Sequence, residues 1–298
     1  MFAGNGYLGR TKIATSSLPA RTLIVTADDF GADVAVNEAV ERGHREGILT
    51  AASLMVSGNA AADAVARAKR TPTLGVGLHL VLVEGRPTLP PEQVSGLIDS
   101  TGLFRTDMVR SAIAMTFNPT TYRQLAAEID AQFAAFAATG LPLDHVNAHK
   151  HFHLHPVIAS LMLKSGQRHG LRAARAPVEP RGVLAAIEPA RPVRRDPATL
   201  WAKLVRRRFR RAGIVVPDQV FGLAWTGAMD SERMIALVEA LPPGVTEIYT
   251  HPATADDWLG HAPGYRYADE FAALLDAKHA VREQGVMLAR FADLPKQR

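Results

Sequence analysis

Residues 21–31 read RTLIVTADDFG. The short apolar, β-branched run from 21 to 26 predicts a buried strand, which leaves Asp28 and Asp29 at its C-terminal end. Residues 34–46, VAVNEAVERGHRE, predict a helix with Val36, Val40 and Gly43 or His44 on one face, closed by Gly47.

The strand–helix pattern recurs. AASLMV at 51–56 and LGVGLHL at 74–80 predict strands, with a helix between them and His79 near the end of the second. Residues 84–110 hold no long periodic segment, and Gly85, Pro87, Pro90 and Pro91 mark a long loop, a length that usually shapes a site. Residues 121–139 predict the best helix of the chain, with Leu125, Ile129, Phe133 and Phe136 on one face. A short strand at 143–148 runs into a histidine cluster, and Pro156 opens the next helix. A strand is expected at 171–176, irregular chain at 177–200 and a basic helix at 201–212. Later come strands at 219–223, 245–249 and 286–289, helices at 228–240 and 269–279, and a polar loop at 253–267.

Such alternation predicts a parallel α/β fold. Asp28 and Asp29 close one segment at its C-terminal end, and His79, His149 and His251 each follow another. Polar groups gathered from many strand ends point to a barrel, whereas an open sheet would concentrate them at one switch point. The expected fold is therefore an irregular (β/α) barrel, TIM-barrel-like, forming one domain over 21–298. Residues 1–20 are expected to be a poorly ordered extension.

The chain has 298 residues, 47% hydrophobic, enough for a sizeable core. It has no cysteine, which excludes a disulfide scaffold, thiolate metal ligation and a cysteine nucleophile. Any metal must be held by His, Asp or Glu. The net charge is +5. Basic residues cluster at Arg206-Arg207-Arg208-Phe209-Arg210-Arg211, after Trp201 and Lys203. On a helix this pattern suits an anionic membrane surface better than base recognition, and no nucleic-acid motif is present. No apolar run reaches the ~18 residues of a membrane span, and the first residues have no signal-peptide core. The expected location is the cytoplasm, with peripheral contact to the inner membrane through residues 201–211. A homodimer is compatible with these features.

Five of the eleven histidines fall at odd positions between 145 and 155. In extended chain, residues two apart point the same way, so His149, His151 and His153 are expected to face one pocket. Three protein ligands are usual for a catalytic metal, so the remaining histidines would steady ligands or touch substrate. Of the pair Asp28-Asp29, one carboxylate can bind the metal while the other serves as general base; the plain alternative is a helix cap. His79 sits between apolar neighbours after two glycines that permit close backbone approach. His251, in Tyr249-Thr250-His251-Pro252, is placed to act as a general acid. Neither a GxSxG elbow, a P-loop nor a dinucleotide fingerprint occurs.

LIVTADDFG at 23–31, Gly77-Leu78-His79, HVNAHKHFH at 145–153 and His251-Pro252, in that order, resemble the YdjC-like carbohydrate deacetylases over residues 21 to 290. The resemblance implies an irregular (β/α) barrel that removes N-acetyl groups from amino sugars with one divalent metal ion. It implies that Asp29, His79 and His149 bind that metal, that Asp28 is the base, and that His251 is the late catalytic histidine. Arg175 resembles an arginine that orients the base or the substrate. His151, His153 and Asn147 then support the site or meet substrate, and Asn147 stands where the family often has aspartate. TADDFG, HVNAHKHFHLHP and the FGLAWTG of 221–227 are most similar to the hopanoid-biosynthesis-associated HpnK branch. That implies an amino-sugar glycolipid substrate, N-acetylglucosaminyl bacteriohopanetetrol. The metal is expected to be Mg²⁺ or Zn²⁺, with Mn²⁺ and Co²⁺ open on ligand type alone. Rival expectations are a deacetylase of soluble amino-sugar oligosaccharides, a two-metal phosphoesterase and a non-enzymatic basic binding protein.

Overall fold

A computed structural model describes residues 21–190 and 198–296. The expected extension at 1–20 lies outside them. The first half of the chain alternates strongly: β1 (Arg21–Phe30), α1 (Val34–Glu46), β2 (Ala51–Leu54), α2 (Ala61–Arg70) and β3 (Gly75–Leu80). The β3–β4 connection holds α3 (Met108–Phe117) and α4 (Pro119–Ala138) ahead of β4 (Val146–Ala148). Then come α5 (Pro156–Arg168), α6 (Arg181–Ile187), α7 (Ala198–Arg211) and β5 (Gln219–Phe221). The chain finishes with α8 (Ser231–Glu239), β6 (Gly244–Thr250), α9 (Tyr267–Asp276), α10 (Lys278–Glu283) and β7 (Met287–Leu288).

All the strand pairings are parallel, in the order β4-β3-β2-β1-β6-β5, with β7 beside the start of β1. The sheet curls until residues 173–178 span its two edges. Ala174 bridges Val146 of β4, and the Val220 amide of β5 donates to the Val178 carbonyl at 3.0 Å. The barrel expected from the sequence is thus present in an irregular form. The strand expected at 171–176 is reduced to single bridges, Ala174 to Val146 and Ala173 to Val215.

Alternation along β1 sorts its side chains. Leu23, Val25 and Ala27 join the main apolar cluster between sheet and helices, while Ile24 belongs to a small inner cluster with Ala51, Ala173, Val215, Phe291 and Leu294. That inner cluster closes the barrel's N-terminal end. Phe291 stacks on the His145 ring at 4.3 Å, and the Ala292 amide donates to Asp144 at 2.9 Å. The polar groups on the inner face, Thr26, Ser53, His145, Asn147 and Glu247, are all buried above this plug. The two glycines of β3 make that layer fit. A Cβ on Gly77 would lie 2.5 Å from the His145 ring and carbonyl, and one on Gly75 would lie 2.7 Å from the Asp144 carboxylate.

Three expectations need correction. Residues 177–200 are not wholly irregular, since α6 forms immediately after Pro180, a residue that readily precedes a helix; residues 191–197 lie outside the described part. The helix at 269–279 is two helices meeting at Ala277. The histidine run is not extended: residues 149–154 form 3-10 turns, with Lys150 and His151 at φ 52° and 53°.

Candidate metal centre and active site

Asp28 follows the alternation of β1 and points inward. Asp29 by the same rule should point out. Its φ of 61°, with a register shift between Ala27 and Phe30, turns it back toward the barrel mouth. A left-handed aspartate is tolerated where a turn and local hydrogen bonds support it. Here the Ala32 amide donates to the Asp29 carbonyl at 3.0 Å, and the Gly31 amide donates to Asn37 at 2.8 Å. Two neighbouring carboxylates therefore reach one cavity.

His79 at the end of β3 and Asn147 on β4 are register partners. The Asn147 amide NH₂ donates to Asp28 at 2.9 Å and to the Ser53 hydroxyl at 3.0 Å. Its oxygen is left to accept from His79 Nδ1 at 2.6 Å. That pairing assigns the ring proton to Nδ1 and frees the Nε2 lone pair. Nε2 is buried without a hydrogen-bond partner and faces Asp29 Oδ1 at 3.3 Å. Burial lowers the His79 pKa, but the charges of Asp28 and Asp29 outweigh it and raise the value. A proton and a metal ion would compete for this nitrogen.

His149 completes the group, with Nδ1 3.2 Å from Asp29 Oδ1. One ligand atom from each of Asp29, His79 and His149 lies within 4.8 Å of the others. Tetrahedral bonds of ~2.0–2.1 Å imply ligand separations of roughly 3.3 Å, so the two distances to Asp29 suit a small divalent ion. The charges agree. Asp28, Asp29 and Glu247 bring three carboxylates to the barrel interior against one guanidinium, that of Arg175. Burial raises the Asp29 pKa, yet the His149 charge and hydrogen bond hold it well below the ordinary value.

Arg175 is fully buried between two acids. It grips Asp28 with both terminal nitrogens, at 2.5 and 3.1 Å, and Glu247 with Nε at 2.8 Å, over the Tyr249 ring. Burial alone would raise the Asp28 pKa; the Arg175 charge, then that of His79, overrides it and holds the carboxyl far below its usual range. Asp28 is thus ionised and directionally fixed.

The rest of the histidine run divides. His149 and His151 line the cavity, and His151 Nε2 meets the Tyr249 hydroxyl at 3.0 Å. Burial, reinforced by Arg175, lowers the His151 pKa well below its ordinary value. His153 does not face the cavity as expected. It is fully buried against the Arg175 carbonyl at 3.0 Å, with its pKa lowered to about 3 by burial and the Arg175 charge. The left-handed turn at Lys150 and His151 breaks the period of two. His251, just after β6, lines the same cavity, its amide held by buried Glu270 at 2.5 Å and its Nδ1 buried without a partner.

Glu247, Tyr249, Thr226 and Glu270 were not singled out from sequence. A charged residue in the middle of GVTEIYT, an otherwise well-buried strand, was the available signal for Glu247. The cavity measures about 1060 Å³, large enough for a small oligosaccharide. Its walls include Leu103, Phe104, Trp258, Leu259, Tyr265 and Tyr267, so the long β3–α3 loop does shape the site.

The YdjC-like protein family matches residues 22–282. The chain belongs to this family. A carbohydrate deacetylase of Brevibacillus brevis is 31% identical over 91% of this chain and 99% of its own length. A chitooligosaccharide deacetylase of Serratia marcescens is 27% identical over 92% and 99%. Among solved structures, an Enterococcus faecalis protein named for cellobiose-phosphate cleavage superposes with a TM-score of 0.71 at 24% identity, covering 92% of this chain and 98% of that one. At that identity it shows a shared fold alone.

Proposed function

We propose that this YdjC-like chain is a carbohydrate N-deacetylase, a hydrolase that removes the acetyl group from an amino sugar. The observation that carries it is the convergence of Asp29, His79 and His149 beside the Asp28–Arg175 pair, in a cavity of oligosaccharide size. Asp29, His79 and His149 would hold one divalent ion, Mg²⁺ or Zn²⁺, which supplies Lewis acidity toward an acetyl carbonyl and toward water. Asp28 receives the proton of the attacking water. Its grip by Arg175 and Asn147 keeps it ionised and aimed, at the expense of basicity. His251 delivers a proton to the departing amine nitrogen. The products are acetate and a primary amine. His151, leaning on Tyr249, meets the substrate side of the cavity.

The finer reading is the hopanoid-associated branch, with N-acetylglucosamine carried on a bacteriohopanetetrol lipid and residues 201–211 meeting an anionic membrane. Its support is the FGLAWTG motif, whose Thr226 reaches the Tyr249 hydroxyl at 3.1 Å, and the basic face of α7. No described helix is long and apolar enough to cross a membrane. The two-metal phosphoesterase is disfavoured: among the described residues, Asp29, His79 and His149 form the single metal-type group. The test is acetate release by metal-reconstituted protein from a panel of N-acetyl amino sugars, including the hopanoid glycoside. Metal bound with no acetate from any of them would sink the deacetylase; acetate only from soluble oligosaccharides would sink the lipid carrier.

A further inference from the structure

The exposed apolar side chains of this protein are not scattered. α3 carries Val109, Ile113 and Phe117 at i, i+4 and i+8, with Val109 72% and Phe117 79% exposed. Its packed face is the opposite one, Ser111 and Met115. α7 buries Ala202, Val205 and Phe209 and turns Leu200, Trp201 and Leu204 outward. Further along the same outer surface stand Lys203, Arg207, Arg208 and Arg211, and the helix contains no acidic residue.

Both helices flank the turn that carries His149 and His151. The Thr116 hydroxyl of α3 meets His155 at 3.2 Å, and Arg208 of α7 donates to the Pro156 carbonyl at 3.3 Å. α7 is the crossover between the bridging segment 173–178 and β5, so it descends from the barrel end where the strands terminate. Its apolar N-terminal half therefore stands at the end where the cavity opens. Leu103 and Leu259, on the cavity's own rim, are exposed as well.

We propose that α3 and α7 together form a docking surface for an anionic lipid bilayer, seating the cavity mouth at the headgroups. Single exposed apolar residues need no explanation, but a three-residue stripe and a Trp-Leu-Leu cluster on two helices that meet the same turn do. Interfacial helices combine such apolar residues with lysine and arginine that reach the headgroups. The cationic surface attracts anionic phospholipid and repels a second copy of itself, which favours lipid over self-association. The lipid-linked substrate gives this surface its purpose, but bilayer binding is a separate property with a separate readout.

The full chain is sedimented with phosphatidylglycerol-containing vesicles and with neutral phosphatidylcholine vesicles. The wild type is expected to partition onto the anionic vesicles. Val109→Ser with Phe117→Ser lowers the partition coefficient by roughly tenfold or more, since two apolar side chains no longer enter the interface. Arg207→Ser and Arg211→Ser each lower it by about fivefold on anionic vesicles only. Unchanged circular dichroism and melting establish that the variants fold. Acetate release from a soluble acetamido sugar, measured on the same proteins, reports the deacetylase reading independently. Failure there with vesicle binding intact leaves the docking surface standing. The proposal is overturned if wild-type protein stays in the supernatant, or if binding is unchanged in both sets of variants. It is equally overturned if light scattering shows a dimer that Phe117→Ser dissolves while vesicles are not bound.

Discussion

Replacing Arg175 by methionine removes a buried cation of similar volume and leaves two carboxylates behind. In the wild type Arg175 makes two contacts to Asp28 and engages Glu247 through Nε and a terminal nitrogen, all out of solvent. After the change, Asp28 keeps the Asn147 amide and Glu247 keeps the Thr26 hydroxyl. Stripping one partner from a buried ion pair costs about 3–5 kcal/mol, or a fall in melting temperature of about 10 °C for a domain of this size. The pH dependence carries more information than the size. In the wild type, the depressed Asp28 pKa contributes stability that is present above its ordinary value of 3.8 and is lost as pH falls through the folded value. In the variant, burial acts on Asp28 unopposed by the guanidinium and raises its carboxyl pKa above the unfolded value. Protonation then relieves the strain, so the deficit relative to wild type should shrink as pH is lowered from 8 to 5. The assay is urea denaturation of both proteins across that range, in EDTA so that metal linkage does not enter. A deficit under about 1 kcal/mol at pH 8, or one that does not change with pH, would refute the assignment of Arg175 as the counter-charge of the buried acids.

Asn147→Ala should weaken Zn²⁺ or Co²⁺ binding by about 10–100-fold in calorimetric titration, because the His79 ring loses the acceptor that orients it; unaltered affinity would show that the His79–Asn147 bond does not tune the site. His251→Ala should lower kcat for acetate release by about 10²–10⁴-fold with metal content retained, and a normal kcat would remove it as the proton donor. Gly77→Ala places a methyl group 2.5 Å from His145 and should destabilise the fold by about 1–3 kcal/mol in urea titration; wild-type stability would mean the barrel layer gives way freely. Asp29→Ala should abolish stoichiometric metal binding while the protein still melts cooperatively, and metal retained at full stoichiometry would relocate the centre.

Much of this molecule is visible in local sequence. RTLIVTADDFG, LGVGLHL and the helix of 34–46 are strong patterns because apolar periodicity and punctuation by glycine act within a few residues, and each becomes the predicted element. Asp28, Asp29, His79, His149 and His251 could be grouped in advance because strands in a parallel barrel deliver their last residues to one end. The two glycines of β3 are the close-approach positions the sequence predicts, Gly75 against Asp144 and Gly77 against His145.

Other features depend on contacts far apart in the chain. The turn at Lys150 and His151 cancels the alternation that put His153 in the cavity, and positive φ in a non-glycine residue leaves no mark in composition. Asp29 joins Asp28 only through a register shift against β2. Asn147 shows its value only when three partners converge on it: Asp28 and Ser53 take its amide protons, and His79 donates to its oxygen. Glu247 lies 72 residues from Arg175 in sequence and in contact with it in space. Local pattern is set by neighbours along the chain, so it can be read residue by residue. The charge balance of a buried site is a sum over groups that meet only after the sheet has curled, and no window of sequence contains it.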